Sequence, residues 1–254
     1  MAIYYYFSGI TPANKNWQEL KETLNDDLKG KRGKITFIGR IGNKAKSKTY
    51  RNGASKKLKE LGINMQEGTL LWNDMDSSEM TKQMLKQRMT EDEMIETILE
   101  SDIVYILGGD PIDQINYLKN NKLDGILRSY EGIVIGSSSG LMVMSKKIII
   151  PPHNTGYKTY HESQIVDGLA LTNLSIFPHF TYALNQKTLD DNIEVADLVE
   201  ISYSHELLAL QDESILRCSG DKVNIFGEQP YLLSNGNIKE KVDEAQVKRL
   251  LRKQ

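Results

Sequence analysis

A single cysteine, Cys218, serves the whole 254-residue chain, so no disulfide can form within it and a reducing compartment, the cytoplasm, is the expected location. No apolar run is long enough to span a membrane. The longest uncharged one lies around Ile133 to Met144 and is broken by serines, well short of the ~20 residues a hydrocarbon core requires. The N-terminal MAIYYYFSGIT has neither the basic region nor the small-residue cleavage site of a secretory signal. An excess of one charge is missing too: 32 Lys and Arg stand against 34 Asp and Glu, a formal net charge of −2. That balance gives no argument for nucleic acid or a membrane surface as partner. There are no internal repeats, low-complexity tracts or linkers, and a chain of this length is expected to form one domain over residues 1–254.

What the chain does have is an alternation of β-rich runs and helical periodicities. Ile3 to Phe7 and Lys34 to Ile38 read as strands, and between them Trp17, Leu20, Leu24 and Leu28 recur at helical spacing. A basic segment from Lys44 reads as a helix closed by Gly62, and Asn64 to Leu71 can hold a strand. Thr90 with Glu93 three residues on is a capping-box pattern. Ile103 to Leu107 is a compact apolar strand that runs into Gly108-Gly109-Asp110-Pro111. Two helical stretches follow, Ile112 to Leu118 and Leu123 to Leu127, before another buried strand from Gly132 to Ile135. Such alternation predicts an α/β fold with a mostly parallel sheet covered on both faces. The C-terminal third differs, its short runs Leu207 to Leu210, Ser214 to Cys218 and Lys222 to Phe226 suggesting a small β-meander before a charged helix.

The chemistry concentrates where the last parallel strand ends. Gly136-Ser137-Ser138-Ser139-Gly140 fits G-x-S-x-G between a buried strand and a helix, the setting of a nucleophile elbow with Ser138 at its centre. A Ser/Gly-rich helix cap would give the same letters, but the strand context favours a nucleophile. A serine needs a base, and only four histidines are on offer. His179 follows a β-like run and a proline, at the kind of strand end where open α/β sheets display functional groups. His153 and His161 lie in a polar loop and His205 begins a later element, so His179 is the best base. The acid stays open among Glu162, Asp167 and the pair Asp212-Glu213. His161-Glu162 opens like the zinc motif H-E-x-x-H, but Ile165 stands where the second histidine belongs, so no metal is expected. Oxyanion donors can come from the backbone amides of Gly109 and Ser139. A nucleotide site at Gly108-Gly109-Asp110-Pro111 is disfavoured, since the run does not satisfy G-x-G-x-x-G and proline removes one amide.

Three segments together, YILGGDPIDQINYLKNN, GIVIGSSSGLMVMS and GLALTNLSIFPHF, resemble successive signatures of the dipeptidase E and cyanophycinase family of serine peptidases. LLALQDESILRCSGDKVNIFGEQPYLLSNG is similar to the family's C-terminal strands, so the resemblance covers most of the chain. It implies a flavodoxin-like three-layer sandwich of the class I glutamine amidotransferase type. It also implies Ser138 as nucleophile, His179 as base, Glu213 in the acidic turn as the triad acid, and Gly109 with Ser139 as oxyanion-hole amides. The family pattern carries alanine where Ser139 stands. The implied substrates are short peptides with N-terminal aspartate or an isoaspartyl linkage, cleaved without cofactor. Arg40, Lys44 and Lys46 are candidates to bind the substrate carboxylate. The sequence leaves two matters open: a homodimer, and a catalytically inactive binding protein on the same fold.

Overall fold

In the computed structural model, residues 2–9, 16–39, 44–65, 68–71, 89–154, 158–181 and 195–253 are described. Among the described residues the central sheet has seven strands. In chain order they are β1 (Ile3–Phe7), β2 (Ile35–Ile38), β3 (Thr69–Leu71), β4 (Ile103–Ile106), β5 (Ile133–Ser137) and, much later, β12 (Ile215–Ser219) and β13 (Lys222–Phe226). They lie in the order β13-β12-β1-β5-β4-β2-β3. The five strands from β1 to β3 pair in parallel, whereas β12 runs antiparallel to β1 and β13 antiparallel to β12.

Side chains alternate across each strand, so the even and odd positions of one apolar run feed two different cores. Tyr5, Phe7, Ile35, Phe37, Ile103, Tyr105, Ile133 and Ile135 pack on one face, against Leu20 and Leu24 of α1 (Trp17–Asp27) and Leu58 of α2 (Lys44–Glu60). Tyr6, Ile38, Val104, Ile106 and Val134 face the other way. There they meet α3 (Glu91–Leu99), α4 (Pro111–Asn120), α5 (Leu123–Ser129) and α6 (Ser139–Met144). This is the expected three-layer α/β arrangement. The capping box forms as read: Thr90 accepts from the Glu93 amide, and the Glu93 carboxylate accepts from the Thr90 amide.

The C-terminal strands divide their pairing, which the expected meander did not anticipate. The β12–β13 hairpin extends the central sheet. A second sheet takes the order β10-β11-β14-β15, from Ile176–Phe177, Leu207–Ala209, Tyr231–Ser234 and Asn237–Lys239. The reason lies in burial: β12 is buried at four successive positions, as a strand inside a sheet covered on both faces must be, whereas β15 is exposed throughout. The chain between α6 and β10 forms β6 (Lys147–Ile150), paired with β9 (Gln164–Asp167), and β7 (His153–Asn154), paired with β8 (Thr159–Tyr160). Two further helices, α7 (Val195–Ile201) and α8 (Glu244–Arg252), complete the described elements.

An ion pair fastens α1 to the sheet at β12 and β1. Register places Arg217 of β12 opposite Tyr5 of β1, and both reach Asp27 at the end of α1. The guanidinium spans the carboxylate through Nη2 and Nε at 2.6 and 2.7 Å, and the Tyr5 hydroxyl donates to it at 2.6 Å. The Arg217 and Asp27 side chains are only 8% and 10% exposed. A bidentate geometry with its remaining lone pairs satisfied is what makes such burial tolerable.

Candidate active site

The C-terminal ends of β1, β5 and β4, neighbours in the sheet, converge on one edge of the molecule. At the end of β5 the chain turns sharply. Ser138 has φ 53° and ψ −125°, an uncommon conformation for a residue with a side chain, and its amide is held by the Phe7 carbonyl at 2.9 Å. The flanking glycines make that turn sterically feasible. A Cβ on Gly140 would stand 2.2 Å from the Ile106 carbonyl oxygen, and one on Gly136 would stand 2.4 Å from Met144 Sδ. Helix α6 therefore packs against strand ends that no larger residue would let it approach. The turn from β5 into α6 thus has Ser138 at its apex.

His179 arrives from the second sheet. It follows β10 and Pro178 with its own backbone at φ 58°, and its amide donates to Ser8 Oγ at 2.8 Å, just beyond the end of β1. Its imidazole Nε2 lies 2.9 Å from Ser138 Oγ. The other ring nitrogen, Nδ1, lies 2.7 Å from Asp212 Oδ1. An ionised carboxylate can only accept, so Nδ1 carries the proton and Nε2 of the neutral ring presents its lone pair to the Ser138 hydroxyl. Ser138, His179 and Asp212 thus form one hydrogen-bonded chain.

The carboxylate on His179 is not that of Glu213, the residue implied by the family resemblance, but of its neighbour. Strands β10 and β11 pair in parallel with Phe177 beside Ala209. That register brings the residues just past the two strand ends together, and the Asp212 amide is anchored to Thr181 Oγ1 at 3.2 Å. Glu213 sits one step later at φ 64°, where the chain turns from the second sheet back into β12. Its backbone amide lies close to Gly9, so that a Cβ on that glycine would come within 3.1 Å. The other candidate acids are apart: Glu162 is exposed, and Asp167 at the end of β9 bonds Lys147 Nζ at 2.6 Å.

The Gly108-Gly109-Asp110-Pro111 run does two jobs. Asp110 is the N-cap of α4, its Oδ1 accepting from the amides of Ile112 and Asp113, both at 3.0 Å, with Pro111 at the first helical position. The two glycines before it lie against the elbow, where a Cβ on Gly108 would sit 3.3 Å from that of Ser138. The turn is braced from outside by the β7–β8 hairpin, whose Tyr160 hydroxyl donates to Asp110 Oδ2 at 2.7 Å. From within, Gln114 Nε2 donates to the Leu107 carbonyl at 2.9 Å. Gly109 is thereby placed beside Ser139, which opens α6 and has an amide for which the helix provides no internal partner. The Gly109 amide itself donates to Ser139 Oγ.

The remaining sequence candidates lie elsewhere or are incompletely described. His205 Nδ1 pairs with Ser204 Oγ at 2.8 Å, and His161 is exposed. The His161 to Ile165 stretch runs into β9 rather than along a helix, so it lacks the geometry that gives H-E-x-x-H its zinc-binding face. His153 and Lys44 and Lys46 belong to elements described by backbone alone, and Arg40 falls outside the described residues. Ser137 hydrogen-bonds the buried Tyr105, whose hydroxyl is pushed up to about 12 by desolvation, that bond opposing the rise. Ser8 and Thr181, which hold the backbones of His179 and Asp212, went unnoticed in the sequence. A serine ending the strand that pairs with β5 was the only signal for Ser8.

The model of peptidase family S51 matches residues 7–226. None of the curated proteins matches the chain. Among solved structures, a peptidase from an acI-B1 actinobacterium superposes with a TM-score of 0.63 at 17% identity, covering 96% of each chain. A structure described as a peptidase E protein of Listeria monocytogenes EGD-e gives 0.55 at 15% identity, covering 89% of this chain and 98% of that one. At such identities the likeness speaks for the fold, which is that of the peptidase E proteins.

Proposed function

The chain belongs to peptidase family S51, and from that membership we propose that it is a serine peptidase in which Ser138, His179 and Asp212 act as the triad. The observation that carries the reading is the unbroken hydrogen-bond chain from the Ser138 hydroxyl through both ring nitrogens of His179 to Asp212. Ser138 Oγ attacks the scissile carbonyl carbon as its proton passes to Nε2, and Asp212 stabilises the imidazolium that results. The oxyanion of the tetrahedral intermediate is received by the amides of Gly109 and Ser139. Collapse expels the amine, which takes the proton back from Nε2, and water then releases the acyl group by the same steps in reverse order.

The substrate class is short peptides with N-terminal aspartate or an isoaspartyl bond. The sequence resemblance supports it, as does the fold shared with a structure described as a peptidase E protein. A fluorophosphonate probe tests the mechanism directly. The wild-type protein should be labelled on Ser138, and Ser138→Ala should neither label nor hydrolyse an aspartyl dipeptide, losing ~10⁴-fold or more in rate. An unlabelled wild type would leave the fold serving a binding role, and retained turnover in Ser138→Ala would place the nucleophile elsewhere.

A further inference from the structure

The Gly109 amide and the Ser139 hydroxyl are joined in a way that triad chemistry does not require. The Gly109 N–H donates to Ser139 Oγ, and the same hydroxyl donates to the Gly109 carbonyl oxygen at 2.5 Å. Ser139 is only 6% exposed, so bulk water is a poor competitor for either bond. Yet Gly109 is one of the two amides assigned to the oxyanion, and an N–H points in one direction at a time.

We propose that the Ser139 hydroxyl is a gate on the oxyanion hole: at rest it occupies the Gly109 donor, and turnover requires it to yield that donor to the carbonyl oxygen under attack. The inference rests on the serine-peptidase reading above. Its physical basis is a difference in acceptor strength. A hydroxyl and a neutral substrate carbonyl are similar acceptors, so ground-state binding gives little reason for exchange. A developing oxyanion forms a charge-assisted bond, roughly twice as strong, and displaces the hydroxyl as charge appears. Rotation about one side-chain torsion clears Oγ from the amide without moving Ser138 or the backbone of α6. The hydroxyl therefore acts through Gly109, as a positioning residue, and holds the turn in place at some expense in rate.

A gate and a simple structural support predict opposite kinetics. In Ser139→Ala the Gly109 amide no longer has a neutral partner to lose, and kcat on an aspartyl dipeptide should rise ~3- to 10-fold, the equivalent of one net hydrogen bond. KM should change little. The melting temperature should fall, because the two bonds holding the turn are gone. A folded Ser139→Ala enzyme with unchanged or lower kcat overturns the gate. Should that variant fail to fold, a crystal structure of the wild type phosphonylated on Ser138 decides the matter. The phosphoryl oxygen accepting from Gly109 N, with Ser139 Oγ displaced, supports the gate; Oγ still on that amide refutes it. Failure of the underlying reading looks different, since a wild type that neither labels nor turns over removes both proposals, whereas a labelled, active wild type isolates the gate.

Discussion

Replacing Asp212 by asparagine alters one atom and asks the most of the site. The carboxylate accepts from His179 Nδ1 at 2.7 Å, which fixes the proton on that nitrogen and leaves Nε2 able to receive the proton of Ser138. An asparagine at 212 can offer its NH₂ to Nδ1 instead. The ring then carries its proton on Nε2, and the Ser138 hydroxyl, 2.9 Å away, meets a donor where it needs a base. Loss of the right tautomer in a triad of this kind lowers kcat by ~10⁴-fold, which at about 1.36 kcal/mol per tenfold is about 5 kcal/mol of transition-state stabilisation. Glu213→Gln, one residue on, should alter kcat by less than ~10-fold, because the carboxylate on His179 Nδ1 is that of Asp212. The assay is steady-state hydrolysis of an aspartyl dipeptide by both variants, with circular dichroism to show that each is folded. If Glu213→Gln loses as much as Asp212→Asn, or more, the assignment of the acid is refuted and the residue implied by the family resemblance is restored.

Two further predictions concern stability. Asp27→Ala strands the buried Arg217 guanidinium and the Tyr5 hydroxyl, and should cost about 3–5 kcal/mol in urea unfolding. Asp27→Leu combined with Arg217→Met should recover most of that loss, and equal losses in both would show that the pair is not what α1 depends on. Alkali should also destabilise the fold. Burial raises the Tyr6 and Tyr130 hydroxyls and pushes Tyr105 and the Cys218 thiol up to about 12, whereas in the unfolded chain thiols ionise near 9 and phenols near 10. Between those values the unfolded state binds fewer protons, so stability falls as pH rises, by about 1.4 kcal/mol per pH unit for each such group. Denaturation midpoints that stay flat from pH ~8 to ~11 would contradict this, as would alkylation of native Cys218 at a rate typical of an exposed thiol.

Much of this protein is written locally. Largely apolar runs of three to five residues between helical periodicities define the parallel strands. The glycines at 136 and 140 announce a turn that only they can make, because the Ile106 carbonyl and Met144 occupy the space a Cβ would need. Ser138 and His179 were legible for the same reason: each stands at a strand end, and strand ends are visible in a sequence. The acid was not. Asp212 and Glu213 are adjacent, equally acidic and equally close to a strand end, and what separates them is the parallel register of β10 and β11 together with the left-handed turn at Glu213. The pairing of the last strands was equally hidden, since an apolar strand does not state which sheet will bury it. Nor could the letters show that the hydroxyl of Ser139 reaches across thirty residues to Gly109. The chain alone determined which residues are equipped for the chemistry; which of them meet was decided by register and by the handedness of single turns, because those set the direction of side chains that the sequence leaves equivalent.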